Sequence, residues 1–315
     1  MREWGCSTLR MARFFFLLGS GLIASLSSSA KDFHVFYLGG QSNMDGYGFV
    51  KDLPESMKEP MEEVWIYHGN PAKDGTAADG RGLWSKLRPG HGRSFGSDGQ
   101  INRYSDRFGP EMTLASELKK AFPEKNLAFI KYSRGGTSID SAATAAKKFG
   151  CWDPEWTGGE AAGKGINQFD HFLATLEKAR GDTDVDDDGE VDRLIPAGIL
   201  WMQGESDAQQ LAVAEEYGKN LAGLMGEIRK ALSTDQVKPE DIPVVIGRIT
   251  DWKVWTHGDV VRAAQAKFAK DDPKAELVTS TDGYGNSDRW HYDSAGYMDL
   301  GSEFAKALIS LLESD

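Results

Sequence analysis

The residue best placed to act as a nucleophile is Ser42, which lies within residues 35–46, VFYLGGQSNMDG. The apolar run before it predicts a buried strand, and Gly39 and Gly40 allow a sharp turn after that strand. A hydroxyl at the carboxyl end of such a strand lies where open α/β sheets bind their ligands. A turn without chemistry is the alternative, because Ser and Asn are common in turns. A catalytic role for Ser42 therefore depends on partners from other segments.

Three further segments carry polar residues at the ends of predicted elements. Gly135-Gly136-Thr137 and Gln203-Gly204-Glu205 each follow an apolar run, and Ser287-Asp288-Arg289-Trp290-His291 precedes the last predicted helix. Because the carboxyl ends of parallel strands meet at one edge of a sheet, we expect the two turns to lie beside Ser42.

These four blocks, in this order, resemble the SGNH hydrolase superfamily. Within it they resemble the carbohydrate esterases that include sialate O-acetylesterases and family 6 acetylxylan esterases. The resemblance covers essentially all of the chain after residue 30. It implies a serine esterase that removes O-acetyl groups from carbohydrates through an acetyl-enzyme. Two alternatives stay open: a non-catalytic carbohydrate-binding protein of the same fold, and an esterase or lipase that acts on another acyl ester.

The catalytic partners predicted for the serine are His291 and Asp288. A serine hydroxyl is a poor nucleophile until a base removes its proton. His291 is the predicted base, and Asp288, three residues earlier, is predicted to fix the imidazole tautomer; the resemblance places both roles on these positions. A loop histidine without a special role is the alternative. Glu205 and Asp207 could instead partner the histidine, although we favour a role in bracing loops.

Ester hydrolysis also needs donors for the developing oxyanion. The resemblance implies the backbone N–H of Ser42, the backbone N–H of Gly135 or Gly136, and the side-chain amide of Gln203. A buried amide that satisfies strand-end backbone groups is the alternative for Gln203. Asn43 is predicted to brace the nucleophile loop.

The sequence leaves the acetylated sugar open. Sialic acid carries a carboxylate that would favour a nearby arginine, whereas xylan is neutral. Arg134 follows a predicted strand directly, and Arg103 and Arg107 lie in a long polar region at residues 69–110. A region of that length is usually functional or mobile.

An acidic run at residues 184–192 follows the spacing of a calcium loop. Alternate carboxylates can converge on one cation, and Gly189 permits the turn. Ile195 occupies the last ligand position of an EF-hand, so we predict a partial calcium loop, structural rather than catalytic. A solvated acidic turn is the alternative, and no cofactor is expected for catalysis. The predicted ligands are Asp184, Asp186, Asp188 and Asp192, with the carbonyl of Glu190.

The elements that must position these residues alternate between strand and helix along the chain. This alternation predicts an α/β fold, a three-layer α/β/α sandwich with a mainly parallel central sheet. We predict a single esterase domain over residues 31–315. The segment around Ser42 does not form a Gly-x-Ser-x-Gly elbow, because Met44 stands at the second glycine position, which disfavours the α/β-hydrolase fold.

Residues 1–30 predict a signal peptide, with cleavage after Ala30, and an uncleaved membrane anchor is the alternative. Arg10 and Arg13 precede an apolar run too short to span a bilayer, and small residues follow it. We therefore expect a secreted or periplasmic protein that is free of the membrane after cleavage, with Cys151 as its one cysteine. The net charge of −12 makes nucleic acid an improbable partner.

Overall fold

The computed structural model describes residues 1, 30–70, 77–157 and 167–314 of the chain. In these residues the strands are, in chain order, β1 (Asp32–Gly40), β2 (Gly48–Phe49), β3 (Val64–His68), β4 (Trp84–Lys86), β5 (Gly96–Ser97), β6 (Asn102–Arg103), β7 (Arg107–Phe108), β8 (Asn126–Ser133), β9 (Arg193–Met202), β10 (Val244–Gly247) and β11 (Ala275–Val278). The α-helices are α1 (Ser42–Asp45), α2 (Glu111–Ala121), α3 (Ala146–Phe149), α4 (Gln168–Gly181), α5 (Leu211–Leu232), α6 (Gly258–Asp271) and α7 (Ser294–Glu313).

The central sheet has seven strands in the order β11-β10-β9-β1-β8-β3-β4. All neighbours are parallel except β3 and β4. The central strand β1 pairs with β8 on one side and β9 on the other, and its last residue, Gly40, lies opposite Ser133 and Met202. The turns that follow β1, β8 and β9 therefore leave the sheet at one edge.

Helices cover the two faces of the sheet and form the outer layers. Successive residues of β1 point to opposite faces. On one face Tyr37 contacts Phe172 of α4, with 4.5 Å between ring centroids. The other face packs against α7, which also contacts α2. The predicted α/β fold with a mainly parallel sheet is confirmed, and the described residues form a single domain.

The polar region at residues 69–110 contributes more regular structure than its sequence indicates. Within its described part it supplies β4, which pairs antiparallel with β3 as the edge strand, and the short strands β5 to β7. The two residues of β7 pair with β2, the short strand that follows α1 and therefore follows Ser42 in the chain. This region is therefore tied to the sheet edge that carries Ser42.

The predicted signal peptide lies almost entirely outside the described residues, which begin again at residue 30. Among the residues described, no helix has the length and apolar character needed to cross a membrane.

Candidate active site

Ser42 is the first residue of α1 and is separated from the end of β1 by one residue, Gln41. Gly40 has a φ of 135°, and a Cβ at this position would lie 2.1 Å from the carbonyl oxygen of Met202. Only glycine lets the turn pack this closely against the end of β9. The backbone N–H of Gln41 then donates to that same carbonyl at 2.9 Å. The position of Ser42 is thus fixed by the neighbouring strand.

Ser42 lies at the wall of a cavity of about 760 Å³ at the carboxyl edge of the sheet. The Ser42 side chain is largely covered, with 6% of the residue exposed. The cavity is lined by Gln41, Ser42, Asp45, Tyr47, Arg93, Ser94, Ser133, Arg134, Gly135, Gly136, Ala145, Lys148, Phe149, Ser206, Gln209, Trp255, Trp290 and His291. The structure therefore places Ser42, Gly135 and His291 around one space.

The two candidate glycines of the second turn have different surroundings. A Cβ on Gly135 would lie 3.3 Å from Cβ of Ser42, so this glycine directly adjoins Ser42. Gly136 has a φ of 80°, and a Cβ there would meet the ring of Phe149 at 2.7 Å. The backbone N–H of Arg134 donates to the carbonyl of Gly40 at 3.1 Å, which joins this turn to the nucleophile turn. Gly135 is thus the glycine that adjoins Ser42, whereas glycine is needed at position 136 for the backbone conformation of the turn and its close contact with Phe149.

Asp288 holds the imidazole of His291 through both carboxylate oxygens, at 2.9 and 2.7 Å from Nδ1. Oδ1 of Asp288 also accepts the backbone N–H groups of Trp290 and His291. Burial raises the pKa of Asp288, but these hydrogen bonds outweigh it and leave the pKa below its ordinary value. Because Nδ1 faces Asp288, Nε2 is the nitrogen left to accept a proton.

The electrostatics of His291 favour its neutral form. Burial lowers its pKa below the ordinary value, against the opposing effect of the hydrogen bond to Asp288. A neutral imidazole with Nδ1 bound to a carboxylate is the form that a general base requires.

The side chain of Gln203, which is predicted to be an oxyanion donor, makes other hydrogen bonds in this structure. Its side chain is fully buried and lies outside the cavity lining. Nε2 already donates to the carbonyl of Thr137 at 3.1 Å and to Oδ2 of Asp207 at 2.6 Å. Both amide protons are therefore engaged in this structure, as the alternative of a buried strand-end amide describes, and the oxyanion role of Gln203 stays a prediction.

The carboxylates of Glu205 and Asp207 brace the site and do not contact His291. Oε1 of Glu205 accepts from Nδ2 of Asn43 at 2.7 Å, and Asp207 accepts the backbone N–H groups of Ile139 and Asp140. Burial raises the pKa of each of these two carboxyl groups to about 7. Both side chains hold the loops around the nucleophile.

Asn43 connects three segments of the site, as expected for a residue that braces the nucleophile loop. Besides its bond to Glu205, Nδ2 lies 3.3 Å from the carbonyl of Trp290, and Oδ1 accepts from the hydroxyl of Tyr297 at 2.8 Å. The nucleophile helix, the turn after β9 and the histidine segment are thus joined by one side chain.

Several residues that line the cavity were not predicted from the sequence. Tyr47 stacks on His291, and Arg93 from the long polar region reaches the Tyr47 hydroxyl at 2.6 Å. Trp290 remains 47% exposed beside the predicted base. The length and polarity of residues 69–110 indicated a functional region, but no local pattern identified Arg93 within it.

The arginines considered for a substrate carboxylate lie in different places. Arg134 lines the cavity. Arg103 pairs with Asp98 at the surface, and Arg107 donates to the backbone carbonyl of Tyr47 at 2.7 Å.

The acidic run brings three carboxylates together. Oxygens of Asp184, Asp186 and Asp188 lie within 4.8 Å of one another, but Nζ of Lys31 lies 2.5 Å from both Asp186 and Asp188. The carboxylate of Asp192 accepts the backbone N–H groups of Lys31 and Val185. An ammonium group thus occupies the position expected for a cation, and calcium binding stays a prediction.

A family model described as carbohydrate esterase, sialic acid-specific acetylesterase matches residues 32–310. Among solved structures, a protein from Arabidopsis thaliana is 20% identical, over 90% of this chain and 99% of that one, with a TM-score of 0.59. NanS is 14% identical, over 91% of this chain and 100% of that one, with a TM-score of 0.59. A carbohydrate acetylesterase from Xanthomonas citri is 14% identical, over 90% of this chain and 57% of that one, with a TM-score of 0.58. At these identities the similarity to the solved structures shows the fold alone.

Proposed function

We propose that this chain, which belongs to the carbohydrate esterase family of sialic acid-specific acetylesterases, is a serine esterase that removes O-acetyl groups from a sugar. The observation that carries the proposal is the arrangement around the cavity. Ser42, Gly135 and His291 line one cavity, and the carboxylate of Asp288 contacts Nδ1 of the His291 imidazole. These are the groups that acyl transfer requires.

In the acylation step, Oγ of Ser42 attacks the carbonyl carbon of the acetyl ester while Nε2 of His291 takes the hydroxyl proton. Asp288 stabilises the imidazolium that forms. The carbonyl oxygen becomes an oxyanion, for which the backbone N–H groups of Ser42 and Gly135 are the proposed donors. Each donor of this kind is worth about 2.7–4 kcal/mol of transition-state stabilisation. Collapse of the tetrahedral intermediate breaks the bond to the sugar oxygen, which leaves with the proton from His291.

In the deacylation step, water attacks the acetyl-enzyme and gives one proton to His291. The second tetrahedral intermediate releases acetic acid, which gives its proton to the solvent, and the proton on His291 returns to Oγ of Ser42. No cofactor is needed for either step, since the base and the donors come from the chain itself. We further propose that the protein acts outside the cytoplasm, on the strength of the predicted signal peptide.

The charges around the cavity favour an acidic sugar as the substrate. Three cationic side chains, Arg93, Arg134 and Lys148, line this space against one carboxyl group, that of Asp45, although the chain as a whole has a net charge of −12. Cationic side chains around a pocket raise the local concentration of anionic ligands. We therefore propose that an O-acetylated sugar bearing a carboxylate is preferred over acetylated xylan, which is neutral.

The experiment measures acetate release by the parent and by Ser42→Ala on O-acetyl sialic acid, acetylated xylan and p-nitrophenyl acetate. We expect Ser42→Ala to lower kcat/KM by about 10³-fold or more and the parent to favour the sialic acid ester. Ser310→Ala, at an exposed position of α7, is the control for loss of a serine hydroxyl, and it should keep parental activity.

Undiminished turnover in Ser42→Ala would overturn the serine mechanism. A parent that is inert to all three esters and to a fluorophosphonate probe, but binds sugars, would be the non-catalytic binding protein. Equal or faster turnover of acetylated xylan would overturn only the preference for an acidic sugar.

A further inference from the structure

The face of the His291 imidazole is covered by the ring of Tyr47. The two ring centroids are 3.5 Å apart and the ring planes differ by 9°. The indole of Trp290 meets the imidazole edge-on at 6.4 Å. Asp288 contacts only the Nδ1 edge. Tyr47 is therefore the side chain that restrains the plane of the ring.

Tyr47 is itself held by two arginines. Nη1 of Arg93 donates to the Tyr47 hydroxyl at 2.6 Å, and the Arg93 guanidinium lies 5.1 Å from the centre of the ring. Arg107 donates to the backbone carbonyl of Tyr47 at 2.7 Å. The backbone N–H of Arg93 also donates to the carbonyl of Gly46 at 2.8 Å. These contacts fix both ends of the residue that lies against the base.

A restrained imidazole plane matters because proton transfer depends on direction. Rotation about the Cβ–Cγ bond displaces Nδ1 as well as Nε2, so the hydrogen bonds at Nδ1 oppose a tilt of the ring but restrain it at one edge only. A tilt would move Nε2 away from the serine oxygen, and displacements of about 1 Å can cost a hundredfold in rate. The aromatic face also favours a cation, so it stabilises the imidazolium that forms in the transition state.

We infer that Tyr47 is a positioning residue that aligns the general base by stacking on the His291 imidazole. This inference rests on the proposed function. The phenol is not required to ionise, and burial raises the pKa of Tyr47 above its ordinary value. The charged groups that act on His291 are Asp288, Arg93 and Arg107.

The test compares Tyr47→Phe, which keeps the stacked ring, with Tyr47→Leu, which removes it. We expect Tyr47→Leu to lower kcat on p-nitrophenyl acetate about tenfold to a hundredfold with little change in KM. Tyr47→Phe should remain within about threefold of the parent, since the ring is retained. Tyr47→Met serves as the second non-aromatic variant if the melting transition of Tyr47→Leu is lost.

A second readout does not depend on turnover. In a Ser42→Ala background, the Nδ1–H proton of ¹⁵N-labelled His291 should give a sharp downfield resonance in the parent and in Tyr47→Phe. In Tyr47→Leu we expect that resonance to broaden through exchange with water, because the ring is free to tilt.

The outcomes separate this inference from the proposed function. Parental kcat and an unchanged resonance in Tyr47→Leu would overturn the positioning role. A Tyr47→Phe variant as impaired as Tyr47→Leu would assign the effect to the contact with Arg93 and overturn stacking. A parent inert to every ester would end the esterase proposal, while the resonance would still decide whether Tyr47 holds the ring.

Discussion

At the scale of single residues, the site is supported by buried carboxyl groups whose pKa lies far from its ordinary range. Glu205 lies behind the nucleophile helix and accepts a hydrogen bond from Asn43. Burial raises the pKa of Glu205 to about 7, against the opposing effect of that hydrogen bond. Between its ordinary pKa of 4.5 and this value, the folded protein binds more protons at Glu205 than the unfolded chain does. Glu205 therefore costs stability as the pH rises through this window.

We expect Glu205→Gln to become progressively more stable than the parent as the pH rises from 5 to 8. A glutamine oxygen can still accept from Asn43, but the variant has no charge to bury. The difference between the two free energies of unfolding should change by on the order of 2 kcal/mol over this range. Urea denaturation at pH 5, 6, 7 and 8 measures it. Glu215→Gln, at an exposed position of α5, is the control for loss of a charge, and a parallel pH dependence in parent and Glu205→Gln would contradict the assignment.

The limits of sequence reasoning are also visible at this scale. The strand that ends at Met202 could be read from its apolar run, since parallel strands buried on both faces form such runs. The direction of the Gln203 side chain, which follows this strand, could not be predicted, because it depends on hydrogen bonds to Thr137 and Asp207. The position of Tyr47 beside the site could not be predicted either, since it depends on contact with His291, which is far away in the sequence.

At the scale of elements, the nucleophile helix is joined to two other parts of the molecule by Lys131. Nζ of this β8 residue donates to the backbone carbonyls of Asp45 and His91, and to Oε2 of Glu111, each at 2.9 Å. The side chains of Lys131 and Glu111 are both fully buried. The strand β8 was predicted from the apolar residues around Lys131. The contacts of Lys131 could not be predicted, because its partners lie in α2 and in the long polar region. One lysine thus holds α1, that region and α2 together.

We expect Lys131→Met to destabilise the protein by about 3–5 kcal/mol, because it leaves the carboxylate of Glu111 buried without its partner. The double variant Lys131→Met/Glu111→Leu should recover part of this loss, since no unpaired charge remains. Urea denaturation of the parent, both single variants and the double variant measures the coupling. Lys120→Met, in the exposed Lys120–Glu117 pair, is the comparison, with an expected effect below about 1 kcal/mol. A double variant less stable than Lys131→Met would contradict this account.

At the scale of the whole molecule, negative charge dominates but is locally neutralised at two places. Arg93, Arg134 and Lys148 line the cavity, and Lys31, at the start of the domain, pairs with the acidic run that precedes β9. The hydrogen bonds that Lys31 donates to Asp186 and Asp188 raise the pKa of this lysine. This pairing joins the beginning of β1 to the beginning of β9, its neighbour in the sheet. The acidic run therefore has a structural role whether or not calcium binds.

We expect calcium to raise the Tm of Lys31→Met more than that of the parent. An ammonium group and a calcium ion compete for the same carboxylate oxygens, so removing the ammonium leaves Asp186 and Asp188 available together with Asp184. Binding to the folded state alone then raises stability with calcium concentration. Thermal melts of both proteins in EDTA and in rising calcium measure the effect, and Lys31→Met/Asp186→Asn should lose most of it. The absence of any calcium response in Lys31→Met would contradict the calcium loop and leave the run as an acidic turn paired with Lys31.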